Sequence, residues 1–263
     1  MPVRILTPAD RPVRTLSDVT LLAVTDVALV ATARALALSQ TGLRFGEVLF
    51  LGDRAPPPGT PATWRPIAPI GSRGGYSEFM LHALAAHFTT SHVLCVQWDG
   101  YVLNPQGWDP AFLEYDYIGA PWPHFKDGMR VGNGGFSLRS RRLVEACGSL
   151  PIAAESEDVA ICRTFRPLLE QRFGLRFAPE DVARRFAYER TAPTGGEFGF
   201  HGAFNMIDLL PARELAALFA DLEPTLLNRR EHRELLLRAL VKGHLSLAWT
   251  LWRRLRHPHL RSS

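Results

Sequence analysis

Residues 92–100 read HVLCVQWDG, a run of apolar and β-branched residues that closes on Asp99 and Gly100, the pattern of a buried strand running into a turn. The pattern occurs twice upstream. TLLAVTD (20–26) ends in Asp26 and EVLFLGD (47–53) ends in Asp53. Between the strands, VALVATARALALSQTG (27–42) carries Ala and Leu at helical spacing up to a stop at Gly42, and YSEFMLHALAAHF (76–88) has helical periodicity. RAPPPGTPATWRP (54–66) reads as a proline-rich loop, and IAPIGSRGG (67–75) as a strand end with a glycine turn. Strands alternating with helices predict an α/β sheet with crossover connections, mostly parallel in this half. Ligands of such sheets bind outside the carboxyl ends of the strands, so Asp26, Asp53 and Asp99 can face one crevice. The competing reading is that Asp simply favours turns and helix N-caps.

After Gly100 the regularity falls away into a Gly-, Pro-, Trp- and Tyr-rich stretch, YVLNPQGWDPAFLEYDYIGAPWPHFKDGMRVGNGG (101–135). Long irregular segments inside a compact domain are usually functional. GFSLRSRRLVEAC (135–147) then reads as a strand entering a helix. SEDVAICRTFRPLLEQRFG (156–174) reads as one helix with Ser156 as N-cap, and LRFAPEDVARRFAYER (175–190) as a strand and short helix. EFGFHGAFNM (197–206) is a Gly/aromatic loop, and the chain is helical from Pro211.

The 263 residues suffice for one large domain or two small ones. A composition of 46% hydrophobic and 21% charged residues excludes a disordered or fibrous chain. Cys95, Cys147 and Cys162 show no CxxC spacing, which argues against a disulfide framework or thiolate zinc site and makes a reducing, cytoplasmic setting the expectation. The first residues lack the apolar run of a secretory signal, and no stretch reaches the length of a membrane span. No GxSxG, P-loop or GxGxxG occurs, and no aromatic-basic pattern suggests nucleic-acid binding.

Several residues can carry chemistry. The Gln97-Trp98-Asp99-Gly100 turn has the layout that sets a carboxylate beside a metal-bound diphosphate, since Mg²⁺ or Mn²⁺ takes oxygen ligands and keeps open positions; an ordinary Asp-Gly turn is the alternative. Three glycines surround Asn133 in VGNGG (131–135), where Gly134 and Gly135 let backbone approach a ligand, or else make a bulge. Glu157 and Asp158 open a helix; they compensate its dipole, or one serves as a general base toward an acceptor hydroxyl. His201 is a candidate metal ligand or proton donor. Trp98, Tyr101, Trp108, Tyr117 and Trp122 can stack their flat faces on a ligand or pack in the core.

The ordered set TLLAVTD, YSEFMLHAL, HVLCVQWDGYVLNPQGWDPAFLEYDYIGAPWP, VGNGGFSLRSRRL, EDVAICRTFRPLLE, FAPEDVARRFAYER and FGFHGAFNM resembles a bacterial family of largely uncharacterised, glycosyltransferase-like proteins over roughly residues 18–222. The resemblance implies a GT-A-like fold: a single α/β domain with a mixed, mostly parallel sheet flanked by helices, a nucleotide-binding first half and an acceptor-binding second half. It implies transfer of a sugar from a nucleotide-sugar donor to a hydroxyl of a glycan or lipid-linked acceptor in polysaccharide biosynthesis, inverting and assisted by a divalent cation (Mn²⁺ or Mg²⁺). By the order of motifs, Asp26, Gln97, Trp98, Asp99 and Gly100 fall on the donor side, and Trp122, Asn133, Gly134 and Gly135 on the acceptor side. Asp158 or Glu157 takes the place of the base, and Asp99 and His201 those of metal ligands. Gln97 stands where the DxD signature of metal-dependent GT-A enzymes has its first carboxylate, and Ala153-Ala154-Glu155-Ser156 where inverting β-galactosyltransferase-like enzymes have a Trp-Gly-Gly before their acidic pair. A non-catalytic sugar or nucleotide-sugar binding module is the alternative.

The chain divides into an N-terminal extension (1–17), the glycosyltransferase-like domain (18–222) and a basic helical tail (223–263). Residues 229–263 hold nine Lys or Arg against two Glu, so this stretch is +7 in a chain of net +4 and residues 1–228 are slightly acidic. Its Leu and Trp anchors beside arginines suit peripheral contact with an anionic inner-membrane surface, or a terminal helix packed on the domain.

Overall fold

A computed structural model describes residues 13–223 and 226–256. Eight strands and ten α-helices occur among the described residues, and strands and helices interleave through the first half: β1 (Arg14–Val24), α1 (Leu29–Ser39), β2 (Leu43–Gly52), β3 (Thr63–Pro66), α2 (Arg73–His82) and β4 (His92–Val96). There follow β5 (Tyr117–Ile118), β6 (Phe136–Ser140), α3 (Arg141–Cys147), α4 (Glu157–Val159), α5 (Arg166–Phe173), α6 (Glu180–Phe186), β7 (Ala187–Tyr188) and β8 (Gly199–Phe200). The chain closes with α7 (Met206–Leu209), α8 (Ala212–Asp221), α9 (Arg229–Val241) and α10 (Leu245–Leu255).

Six strands form one sheet in the order β3-β2-β1-β4-β6-β5. The first four are parallel, and β6 runs antiparallel to both of its neighbours. This is the mixed, mostly parallel α/β sheet expected of a GT-A-like domain. The reversal matters for the site. Because Val96 pairs with Phe136, the end of β4 lies beside the start of β6, and the QWD turn meets the VGNGG stretch at the carboxyl edge of the sheet.

Several elements differ from the sequence reading. Strand β1 reaches back to Arg14, into the residues assigned to an extension; residues 1–12 lie outside the described residues. Its front half is hidden from a pattern search because the register with β2 slips between Leu16 and Thr20, which breaks the alternation. Residues 54–66 end in the edge strand β3, where Pro66 costs no ladder bond. The strand expected at 67–75 does not form: Ile67 and Ile70 pack against the core, and Ser72 caps α2 by accepting from Gly75 N–H. The helix expected over 156–174 is interrupted by a π-turn at Ala160–Thr164.

The tail is integral to the packing. One buried cluster joins Ala31 and Ala35 of α1, Trp98, Tyr101 and Phe200 with Phe219 of α8, Leu235 of α9 and Leu251 of α10. Residues 224–225 and 257–263 of the tail lie outside the described residues. All three cysteines are unpaired and buried, and no helix among the described residues is long and apolar enough to cross a membrane.

Candidate active site

A cavity of about 630 Å³ opens at the carboxyl edge of the sheet. Asp26, Gln97, Trp98, Asp99, Trp122, Asn133, Gly134, Gly135, Glu157, Asp158 and His201 all line it. Of the residues assigned to the donor side, the acceptor side, the base or the metal, Gly100 alone does not. It closes the tight turn, exchanging backbone hydrogen bonds with Gln97, and lies buried against the edge of the His201 ring. Asp53 also misses the cavity and pairs with Arg54 at the surface. Tyr101, Trp108 and Tyr117 are core residues, whereas Trp98 and Trp122 combine core packing with the cavity wall.

The two halves of the sequence lock together here. The Asp99 carbonyl accepts from Gly202 N–H, and its Oδ2 accepts from Ala203 N–H at 3.0 Å, so one aspartate fixes the loop that carries His201. Its Oδ1 is buried without a hydrogen-bond partner, 3.5 Å from His201 Nε2. Gln97 Oε1 lies 3.3 Å from the same ring nitrogen. On the other side of the ring, Glu189 Oε1 lies 3.4 Å from Nδ1. Glu189 escaped the sequence reading although it repeats the signal of Asp26 and Asp99, an acid just after a strand. That strand, β7, has two residues, too short for a pattern. Since Tyr188 pairs with Phe200 in the parallel β7–β8 pair, the residues that follow, Glu189 and His201, emerge side by side.

The glycines of VGNGG are explained by what covers them. A Cβ on Gly135 would strike the His201 ring, and one on Gly134 would strike the Glu157 carboxylate. Asn133 adopts a left-handed φ of 72° that lets its Oδ1 accept from the N–H groups of Gly135 and Phe136. Its amide nitrogen therefore faces His201 Nδ1, at 3.0 Å.

The acidic pair at α4 splits into two roles. Glu157 is 4% exposed, and its Oε1 accepts from Arg139 Nη2 at 2.9 Å. Burial raises its carboxyl above the usual range, with the Arg139 charge opposing. Glu157 is thus tied to Arg139 within the fold. Asp158 is half-buried at the cavity wall, and its carboxylate accepts from Gly134 N–H, Ser156 Oγ and Val159 N–H at 3.1, 2.6 and 2.9 Å. These donors fix its direction.

Burial opposes charge on His201, but the carboxylates of Asp99 and Glu189 outweigh it and raise the imidazole well above its ordinary value. Burial likewise opposes the Glu189 charge, yet His201, Asn133 and Arg190 together hold that carboxyl below its usual range. The raised His201 contributes stability that is complete below the unfolded value of about 6.5 and is lost as pH climbs through the folded value. NMR titration of the His201 ring is expected to show imidazolium persisting beyond the pH at which a free imidazole loses its proton. A ring already neutral there, accepting from Asn133, would refute the acid–imidazole–acid arrangement.

Among the described residues no group of three or more His, Cys, Asp or Glu side chains is arranged to chelate a metal by itself. A divalent ion would still find a fitting donor set in the orphaned Asp99 Oδ1, Gln97 Oε1 and, once the ion displaces its proton, His201 Nε2, completed by oxygens of a ligand.

The chain belongs to the family described as "Protein of unknown function (DUF5672)", whose model matches residues 65–201. No curated protein matches it. Among solved structures, it is similar to the mannosyltransferase PcManGT from Pyrobaculum calidifontis in complex with GDP-Man and Mn²⁺, at 15% identity over 97% of this chain and 84% of that one, with a TM-score of 0.38. The galactosyltransferase LgtC in complex with donor and acceptor sugar analogs gives 13% identity over 82% and 99% of the two chains and a TM-score of 0.41. TarS from S. aureus (1–349) gives 11% over 86% and 73%, with a TM-score of 0.39.

Proposed function

We propose that the protein is a glycosyltransferase that moves a sugar from a nucleotide-sugar donor to a hydroxyl of a glycan or lipid-linked acceptor, with inversion and the help of a divalent cation. The observation that carries this reading is the convergence of Asp26, Asp99, Asp158, Glu189 and His201 on one cavity at the carboxyl edge of a mixed α/β sheet. The cavity wall also includes Glu157 and Glu231, with Arg73 and His201 as its basic side chains. A lining so rich in carboxylates repels a bare diphosphate. A donor would enter it with a cation, which Asp99, His201 and Gln97 would hold. Bound there, the cation would neutralise charge on the diphosphate leaving group.

The chain's own residues do the rest. Asp158, oriented by Gly134 N–H and Ser156, takes the proton of the acceptor hydroxyl as its oxygen attacks the anomeric carbon. The bond from that carbon to the diphosphate oxygen breaks, and the nucleoside diphosphate leaves with the electron pair. Trp122 and Trp98 supply flat apolar surface for sugar rings. Half-buried Tyr76, its phenol raised by desolvation and so held neutral, accepts from the Gln97 amide at 3.1 Å and fixes that side chain.

The experiment is incubation of the purified protein with UDP-, GDP- and dTDP-sugars, Mn²⁺ and a panel of acceptors, with nucleoside diphosphate release as readout. Asp158→Asn is expected to lower transfer about 10²–10⁴-fold while donor binding, read by calorimetry, stays within a few-fold. Unchanged transfer would remove Asp158 as the base. Donor binding without release under every condition would favour a non-catalytic binding module of the same fold.

A further inference from the structure

Helices α9 and α10 form a hairpin with one packed face and one open face. Leu235, Ala239, Leu247, Ala248 and Leu251 point into the core shared with α1 and α8. The opposite side exposes Leu237 at 63%, Val241 at 87%, Leu245 at 72% and Trp249 at 58%, with Leu240 and Trp252 exposed beside them. Positions 237 and 241 on α9, and 245, 249 and 252 on α10, follow helical spacing, so each helix presents one apolar stripe. The Trp249 and Trp252 rings stack at 4.9 Å, and the Arg256 guanidinium lies 4.0 Å over Trp252.

The charges around these stripes have one sign. Arg230, Arg233, Arg253 and Arg256 are exposed on the hairpin. Its two acids are turned to other work: Glu231 closes the capping box of α9, and Glu234 pairs with Arg190 and Arg238. Lys242 faces Asp208 across the turn and adds little to the field. A surface of several large apolar side chains rimmed by polar groups marks an interaction site. A second copy of the same face would set arginines against arginines. An anionic lipid surface instead offers phosphates to the arginines and an interfacial layer to the tryptophans.

We propose that this outer face of α9–α10 docks the protein on an anionic membrane surface. The proposal is independent of what the cavity binds. Both features nonetheless share an element, since Leu226, Leu227 and Glu231, around the start of α9, line the cavity wall.

The test uses the full chain and sedimentation with vesicles of phosphatidylcholine, with and without phosphatidylglycerol. Binding is expected only to the anionic vesicles, with a blue shift of tryptophan emission, and it should weaken as salt rises. The double variant Trp249→Ser/Trp252→Ser should lose about tenfold in vesicle affinity, and Arg253→Gln or Arg256→Gln about fivefold each. Circular dichroism and melting of these surface variants should match the parent, which separates docking from folding. No binding to anionic vesicles, equal binding to neutral ones, or parent-like binding by the tryptophan variant would overturn the proposal. So would light scattering that shows a dimer dissolved by the same variant.

Discussion

Replacing Arg139 by Met is expected to lower folding stability by about 3–5 kcal/mol, the cost typical of breaking a buried ion pair from one side. Arg139 lies fully buried on β6, with Nη2 donating to Glu157 Oε1 at 2.9 Å and Nε to Ser137 Oγ at 3.0 Å. Its guanidinium sits 5.5 Å from the Tyr117 ring. Without it, Glu157 is an uncompensated carboxylate under the floor of the cavity, and its carboxyl, already raised by burial, rises further. The native state of the variant then holds a proton that the unfolded state releases above about pH 4.3. Its stability therefore falls as pH rises through that window. Urea denaturation at pH 5 and pH 8 should show the larger loss at pH 8. Arg139→Met/Glu157→Gln should recover a good part of it, because the double change leaves no buried charge. A single variant within about 1 kcal/mol of the parent at both pH values would show that the pair does not hold this part of the fold.

Asp99→Asn is expected to cut donor cleavage by about 10²–10³-fold, the scale for removing one charge-stabilising group from a reaction centre. The substitution keeps the shape of the side chain. With the amide oxygen at the Oδ2 position it still accepts from Ala203 N–H, so the His201 loop should stay in place. What it removes is the charge at Oδ1, the buried atom without a partner that faces His201 Nε2. Two readouts should change together. Nucleoside diphosphate release should collapse, and the His201 ring should titrate at lower pH, because Asp99 is the foremost of the groups that raise it. Loss of release with an unmoved His201 titration would mean that the two side chains do not act on one another.

The fold was legible where strand and helix lengths exceed the period of their pattern. Strands β1, β2 and β4 and helices α1 and α2 are of that kind. The reversed strand β6 was visible as a strand, but its direction was not, because a buried strand reads the same either way; only pairing decides it. Strand β3 stayed hidden because an edge strand of four residues with a proline carries no alternation. The candidate residues were found largely through local oddity: Trp98 and Gln97 at the end of an apolar strand, three glycines around Asn133, and a histidine among glycines and phenylalanines. Gln97, Trp98, Asn133, Gly134, Gly135 and His201 line one cavity, whereas Gly100, Asp53, Tyr101, Trp108 and Tyr117 do not. Sequence could not separate Glu157 from Asp158, which are neighbours with the same chemistry. The division between them rests on Arg139, whose partner lies 18 positions further along. Glu189 was missed for a related reason, since its importance follows from the register of two strands of two residues each.

The roles of the glycines follow the same logic. Gly134 and Gly135 read in the sequence as room for a ligand against the backbone or as a bulge, whereas in the structure Glu157 and His201 occupy that space. The tail likewise acquired two faces at once: an inner one that completes the core with α1 and an outer one left apolar and basic.

The most direct measurement of the central claim is nucleoside diphosphate release from the panel of UDP-, GDP- and dTDP-sugars in the presence of Mn²⁺, for the parent and for Asp99→Asn side by side. The account predicts release by the parent from at least one donor and near-complete loss in the variant. No release from any donor with any acceptor, or equal release by the two proteins, would contradict it.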